Sequence, residues 1–333
     1  MRNRDAVESF FYFNSPSQLK DWSFLVIEAI ILFGAITAVW HALRFRRETG
    51  SSAALLTLLM TFLYGLVMDI SSYYTVENFW HGEFSVMLLF NRLPLYIALF
   101  YPAFIYHAYM TIRRFGLTPL IEATAIGFYS GLMYEIFDNI GPMLNWWIWD
   151  RSDPTTWPYL NAVPVTSYHW FFLFTGVLAA VIHKVAWDWN ERGLSKTKLT
   201  VAVILSPIVT ILIGTLLFIP YNLFARSGHL TAAAGFHAIL FLAAGLVVLL
   251  QIRRPKVDRD TLLLLFPLVF IVGHLLLYVA KFELFFGIDA AGLTRDGLAA
   301  ANLPAAFFGI LASLALTLFA NGQATPRQIE EDS

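Results

Sequence analysis

The chain has 333 residues, 58% of them hydrophobic and only 14% charged, and its mean hydropathy is +0.64; these values exclude a water-soluble globular domain and a disordered chain. Twenty-two Lys and Arg against 23 Asp and Glu leave a formal charge of −1, which offers nucleic acid no basic surface and argues against a polybasic peripheral protein. The absence of cysteine excludes disulfides, thiolate metal centres, iron–sulfur clusters and cysteine nucleophiles.

A helix that crosses lipid needs roughly 20 mostly apolar residues, because hydrocarbon offers no partner to backbone N–H and C=O groups. Nine such stretches follow one another, near residues 22–43, 53–74, 92–112, 117–140, 165–187, 199–221, 230–252, 261–282 and 299–320. The predicted fold class is an all-α, polytopic transmembrane bundle of about nine spans, one domain over 1–322 followed by a disordered cytoplasmic tail over 323–333. Basic residues gather after every second span: Arg44, Arg46 and Arg47; Arg113 and Arg114; Lys184, Arg192, Lys196 and Lys198; Arg253, Arg254, Lys256 and Arg259. Cytoplasmic loops carry that excess, so the N-terminus is expected outside and the C-terminus inside, in a multi-pass protein of a bacterial-type inner or plasma membrane. The first span ends in Arg-Phe-Arg-Arg rather than at a small-residue cleavage site, and is expected to be retained.

An ionisable side chain at lipid depth costs about 2.5–3.5 kcal/mol on insertion scales and is by default a functional-site hypothesis. Counting about 1.5 Å of rise per residue from the span ends places seven of them in the outer half: Glu28, Asp69, Glu135, Asp138, His169, His237 and His274. His41, His107 and Glu122 fall in the inner half, where packed interhelical contact or snorkelling is the expected role. Glu135 and Asp138 are three residues apart, on one helix face with Tyr134 beside them. Two neighbouring carboxylates rarely both ionise, and the protonated one is a proton donor; the competing reading makes the pair interfacial or interhelical glue. Asp69, just before Ser71, Ser72, Tyr73 and Tyr74, either lines a cavity or marks the interface.

No two histidines have ligand spacing, and neither a metal nor a cofactor is predicted; the alternative is a metal site assembled from several helices. The patch NWWIWDRSDPTTWPY over 145–159 reads as an interfacial aromatic belt or as a lid over a long apolar ligand, with Trp146, Trp147 and Trp149 against it. Gly127 and Gly131 are expected to admit a close neighbour below the carboxylates. Pro102, Pro207 and Pro267 are expected to bend or interrupt their spans.

Asp138, Pro142, Trp147, Trp149, Tyr159, Val163, Pro164 and Trp170 together resemble the pattern of the membrane carotenoid hydratase family of bacterioruberin and myxol pathways. In that pattern an Asp and a Pro precede a W-x-W pair, then a Tyr and a V-P, then a Trp on the next helix. The resemblance covers residues 138–170; Arg151 to Trp157 lengthen the segment after W-x-W, and Tyr168-His169 stands where the family has an Asn-Phe-type pair. It implies an intramembrane enzyme that protonates an isoprenoid double bond and then hydrates or cyclises the cation. Glu135 is then the proton donor, Asp138 tunes it or positions water, and Asp69 is the reserve acid. Tyr134, Trp146, Trp147, Trp149, His169, His237, His274 and Glu28 surround the substrate, a membrane isoprenoid or other long apolar lipid. Two other classes compete: a proton-coupled transporter, since Asp, Glu and His at one depth also suit a proton relay, and a noncatalytic lipid-binding or assembly protein.

Overall fold

Because every backbone polar group at lipid depth needs a partner within its own segment, the long apolar stretches become helices. The computed structural model describes residues 9–158, 163–253, 255, 260–289 and 292–322; the tail expected over 323–333 lies outside them. Nine long helices occur among these residues: α1 (Ser23–Thr49), α2 (Ala53–Ser71), α3 (Leu95–Arg113), α4 (Pro119–Met143), α5 (Val165–Ile182), α6 (Lys196–Arg226), α7 (Leu230–Gln251), α8 (Thr261–Ala280) and α9 (Leu303–Ala320). All but α4 are long and apolar enough to cross a membrane, as expected for an integral, multi-pass helical bundle. The polar side chains of α4 set it apart by composition, although its 25 residues suffice in length. Wide π-helical turns extend α2 over Ser72–Val76 and α5 over His183–Trp189.

The helices alternate in direction, so the bundle has two chemically different ends. At one end Lys281, just past α8, pairs with Asp21 ahead of α1 at 2.5 Å, and the Asn302 N–H ahead of α9 donates to Asn139 Oδ1 near the end of α4. At the other end Arg44 pairs with Asp260 and Arg114 donates to Asn321 at 2.9 Å. The first end also carries short strands that the sequence patterning did not indicate: β1 (Tyr12–Phe13), β2 (Phe79–His81), β3 (Val86–Leu88), β4 (Leu93–Pro94) and β5 (Trp147–Trp149). They form a β1-β3-β4 sheet and a β2-β5 ribbon.

Helix α3 is central, with 89% of its span buried, whereas α6 and α7 keep only 28% and 22% and turn Leu216, Leu242 and Leu249 outward. Helix α4 packs closely on α5, where a Cβ on Gly127 would meet the Phe172 carbonyl and the Gly176 backbone, the close approach expected for small residues. Pro102, Pro207 and Pro267 do not end their spans. Helices α3, α6 and α8 run through them, because packed neighbours hold a turn that lacks one N–H.

Asp260 caps α8 by accepting the Leu262 N–H at 2.9 Å and lies 3.2 Å from His41 Nε2. Its partial burial works against ionisation, but the His41 hydrogen bond and charge, the Arg44 guanidinium and the Leu262 amide together lower its pKa from 3.8 to about 2. A carboxylate depressed in the folded state stabilises above its unfolded pKa and ceases to do so as pH falls through the folded value. The effect is thus complete above about pH 4, fades towards pH 2, and amounts to roughly 2 kcal/mol. Asp260→Asn should lower the thermal midpoint at neutral pH, and the gap from wild type should shrink as unfolding in detergent is repeated between pH 4 and pH 2.5; a gap of constant size would contradict this assignment.

Candidate functional site

The end of α2 supplies the first wall of a cavity. Asp69, Ser72 and Val76 share a helical face, and all three line a partly open cavity of about 250 Å³. Helix α3 adds Phe100 and Tyr101, α4 adds Tyr134 and Phe137, α5 adds Ser167 and Trp170, and α6 adds Phe218, Asn222 and Arg226. Phe104, one turn deeper on α3, stacks on Phe100 at 4.7 Å and meets Phe270 edge-on at 5.2 Å, closing the floor.

The roof is the β2-β5 ribbon. Its register pairs Phe79 with Trp149, Trp80 with Ile148 and His81 with Trp147. Successive strand side chains point to opposite faces, so Phe79, His81, Trp147 and Trp149 line the cavity while Trp80 and Ile148 remain 38% and 39% exposed. Asn145 takes a left-handed φ of 60° in the turn that leads into β5, a conformation Asn tolerates. The Trp147 ring packs against Gly141, where a Cβ would occupy the same space as the ring.

Asp69 is 4% exposed. One of its oxygens accepts the Tyr101 hydroxyl at 2.8 Å, and the other is buried with no hydrogen-bond partner among the described residues. Asp138, fully buried, faces the hydroxyls of Tyr134 and Ser167, which lie 3.2 Å apart. Neither Asp138 oxygen makes a well-formed hydrogen bond. Tyr134 and Ser167 line the cavity and Asp138 does not, so this carboxyl stands directly behind the wall. The Tyr134 ring is fixed by parallel stacking on Phe171 at 4.0 Å.

The other sequence-predicted residues are spread around this cavity. Glu135 turns towards α9: its Cβ would sit 3.0 Å from a Cβ on Gly309, and its Oε2 accepts from Asn139 at 3.3 Å. Glu28 holds the loop before β3, accepting the Ser85 amide at 2.9 Å and hydroxyl at 2.6 Å. His274 bonds the Phe270 carbonyl at 2.8 Å and contacts Trp146 and Phe137 edge-on; Trp146 donates to Ser23 at 3.2 Å. His169 and His237 meet through their Nδ1 atoms at 3.3 Å, with His169 stacked on Tyr221. The seven ionisable residues expected in the outer half therefore form no single cluster, since their helices point them to different sides. Among the described residues no three His, Asp or Glu side chains are placed to hold a metal ion together.

In the other half of the bundle, Glu122 accepts from Arg113 at 3.2 Å and Tyr109 at 3.3 Å and contacts His183 Nδ1 at 2.8 Å. His41 contacts the Tyr106 hydroxyl and His107 lies 3.3 Å from Thr37. These are interhelical polar contacts. The sequence pattern does not single out Tyr101, Ser167, Asn222 or Arg226: a Tyr in an apolar run and a Ser at a helix start carry no periodic signal.

The family described as a domain of unknown function, DUF7802, matches residues 14–286, so the chain belongs to that family. No curated protein matches the chain, and no solved structure matches it.

Filling the space under the roof tests how the lid is seated. Gly141→Val should drive the Trp147 ring out of its niche at a cost of about 1–3 kcal/mol, seen as a lower thermal midpoint and red-shifted tryptophan emission. Unchanged emission and stability would mean that Trp147 does not pack on Gly141.

Proposed function

We propose that this DUF7802 member is an intramembrane enzyme that acts on one end of a long apolar lipid, an isoprenoid being the first candidate, by protonating a carbon–carbon double bond. The reading rests on one observation: Asp69 lies in an aromatic-lined cavity with one oxygen held by Tyr101 and the other unpartnered. A carboxyl group buried without a cation against it is tolerated as the neutral acid, the form able to give up a proton. The Asp69 O–H bond breaks as a C–H bond forms on the less substituted alkene carbon, leaving a tertiary carbocation beside the carboxylate. The ring faces of Phe100, Phe171, Trp147 and Trp149 stabilise that positive charge. Water adding to the cation, with return of one proton to Asp69, gives a tertiary alcohol; loss of a proton from carbon instead gives a rearranged or cyclised alkene.

In this reading the roles differ from those expected from the residue pattern. Asp69 becomes the donor, and Asp138 restores or orients protons through the adjoining Tyr134 and Ser167 hydroxyls. Glu135 becomes a packing residue towards α9. The resemblance to carotenoid hydratases fits this chemistry through Trp147, Trp149 and Trp170, which line the cavity; Tyr159 lies outside the described residues. The floor formed by Phe100, Phe104 and Phe270 favours chemistry at one end of the bundle over a path through it. In this reading α4 crosses as a ninth span, with its carboxylates turned inwards, and the lid end faces outwards because the Arg-rich connections lie at the opposite end.

The reading is tested in nanodiscs made in D2O and loaded with polyprenyl lipids. Solvent deuterium should enter the lipid carbon skeleton with the wild-type protein, and mass spectrometry should register a fall of at least about 100-fold in its rate with Asp69→Asn. Glu135→Gln should keep most of the activity. Equal deuterium incorporation by wild type and Asp69→Asn would exclude Asp69 as the donor, whereas proton-driven solute flux without incorporation would point to transport.

A further inference from the structure

Between Asp69 and the bundle end the cavity changes character. Its deep part is ringed by Phe100, Phe137 and Phe171, whereas its mouth carries Asn78, Asp153, Asn222 and Arg226. Helix α6 displays the gradient along one face, with Phe218, Asn222 and Arg226 at successive turns. From Phe218 to Arg226 the helix rises roughly 12 Å.

The mouth residues differ in what already satisfies them. Asp153 caps the short turn Pro154–Thr156 by accepting the Thr155 N–H at 2.9 Å, and its second oxygen accepts from Asn78 at 3.4 Å. Lys281, a cation at the same end of the bundle, is paired with Asp21 and lies 4.8 Å from the centre of the Trp22 ring. Arg226 is exposed, and among the described residues it has no ion pair, side-chain hydrogen bond or cation–π contact. A guanidinium presents a fork of donors suited to an anionic oxygen group, and Asn222 one turn below adds an amide.

We propose that the cavity binds a single-chain amphiphile with an anionic head group, the head on Arg226 and Asn222 and the first part of the chain among the aromatic rings. This rests on the reading of the cavity as a lipid site and narrows its substrate class. The polarity gradient supports the orientation, since the polar groups lie at the mouth and the aromatic rings below it. With the head anchored at the mouth, carbon atoms of the chain are what reach Asp69.

Binding separates this proposal from the catalytic one. Decyl phosphate, decan-1-ol, decyltrimethylammonium and inorganic phosphate are titrated into the full chain in phosphatidylcholine nanodiscs while tryptophan emission is followed, since Trp147, Trp149 and Trp170 line the cavity. Decyl phosphate should bind saturably and at least tenfold more tightly than decanol, and inorganic phosphate alone should cause no saturable change. Arg226→Gln should abolish the preference for decyl phosphate while leaving decanol affinity unchanged, and Arg226→Lys should restore part of it. Asp69→Asn should bind decyl phosphate like wild type, so loss of catalysis and loss of binding are read on different variants. The proposal is overturned if decanol or decyltrimethylammonium binds as tightly as decyl phosphate, if inorganic phosphate alone binds as well, or if Arg226→Gln keeps the preference.

Discussion

Lipid is a solvent without hydrogen-bond partners, and in this bundle every polar group at depth has to be answered from within the protein. The hydroxyls of Thr37, Thr57, Ser313 and Thr317 fold back onto carbonyls of their own helices. Glu122 is met by Arg113, His183 and Tyr109 from three directions, and Glu28 by the amide and hydroxyl of Ser85. Against that background several buried polar atoms have no hydrogen-bond partner among the described residues, and three of them, Trp147 Nε1, Trp149 Nε1 and the second oxygen of Asp69, belong to residues that line the cavity. A buried polar group left without a partner costs on the order of 1–3 kcal/mol.

The roof turns the same constraint into an enclosure. Two short strands above the helix ends satisfy one another's backbone, and the twofold alternation of side chains sends one set of rings down and the other out. An aromatic-rich segment that would suit an interfacial belt therefore also closes a cavity. The lid depends on a small residue at one place, Gly141, under Trp147, so backbone space rather than hydrophobicity decides where the tryptophan sits.

The two ends of the bundle divide the work. The basic end is tied by ion pairs and polar contacts, with Arg113 stacked 3.6 Å over Trp187 as well as bound to Glu122. The lid end keeps its polar groups around a space open to a ligand. The cavity there is aromatic below and polar at its mouth, so its character changes along the helix axes.

Amino-acid order alone determined the helical class, the run of apolar stretches and the position of each ionisable residue along its helix, because hydropathy and rise per residue are local quantities. It also singled out Asp69, Asp138 and the Trp-rich segment. It did not determine which of these meet. Glu135 and Asp138 stay near enough to interact, yet the Cβ of Glu135 packs against α9 while Asp138 stands behind Tyr134 and Ser167. Likewise His169 found His237 while His274 packed against Trp146. Only tertiary packing sets the rotation of each helix about its axis, since in lipid that rotation is chosen by the fit of small residues and by long-range polar contacts. The short β2-β5 ribbon was hidden for a similar reason: each strand pairs with a partner distant in the chain.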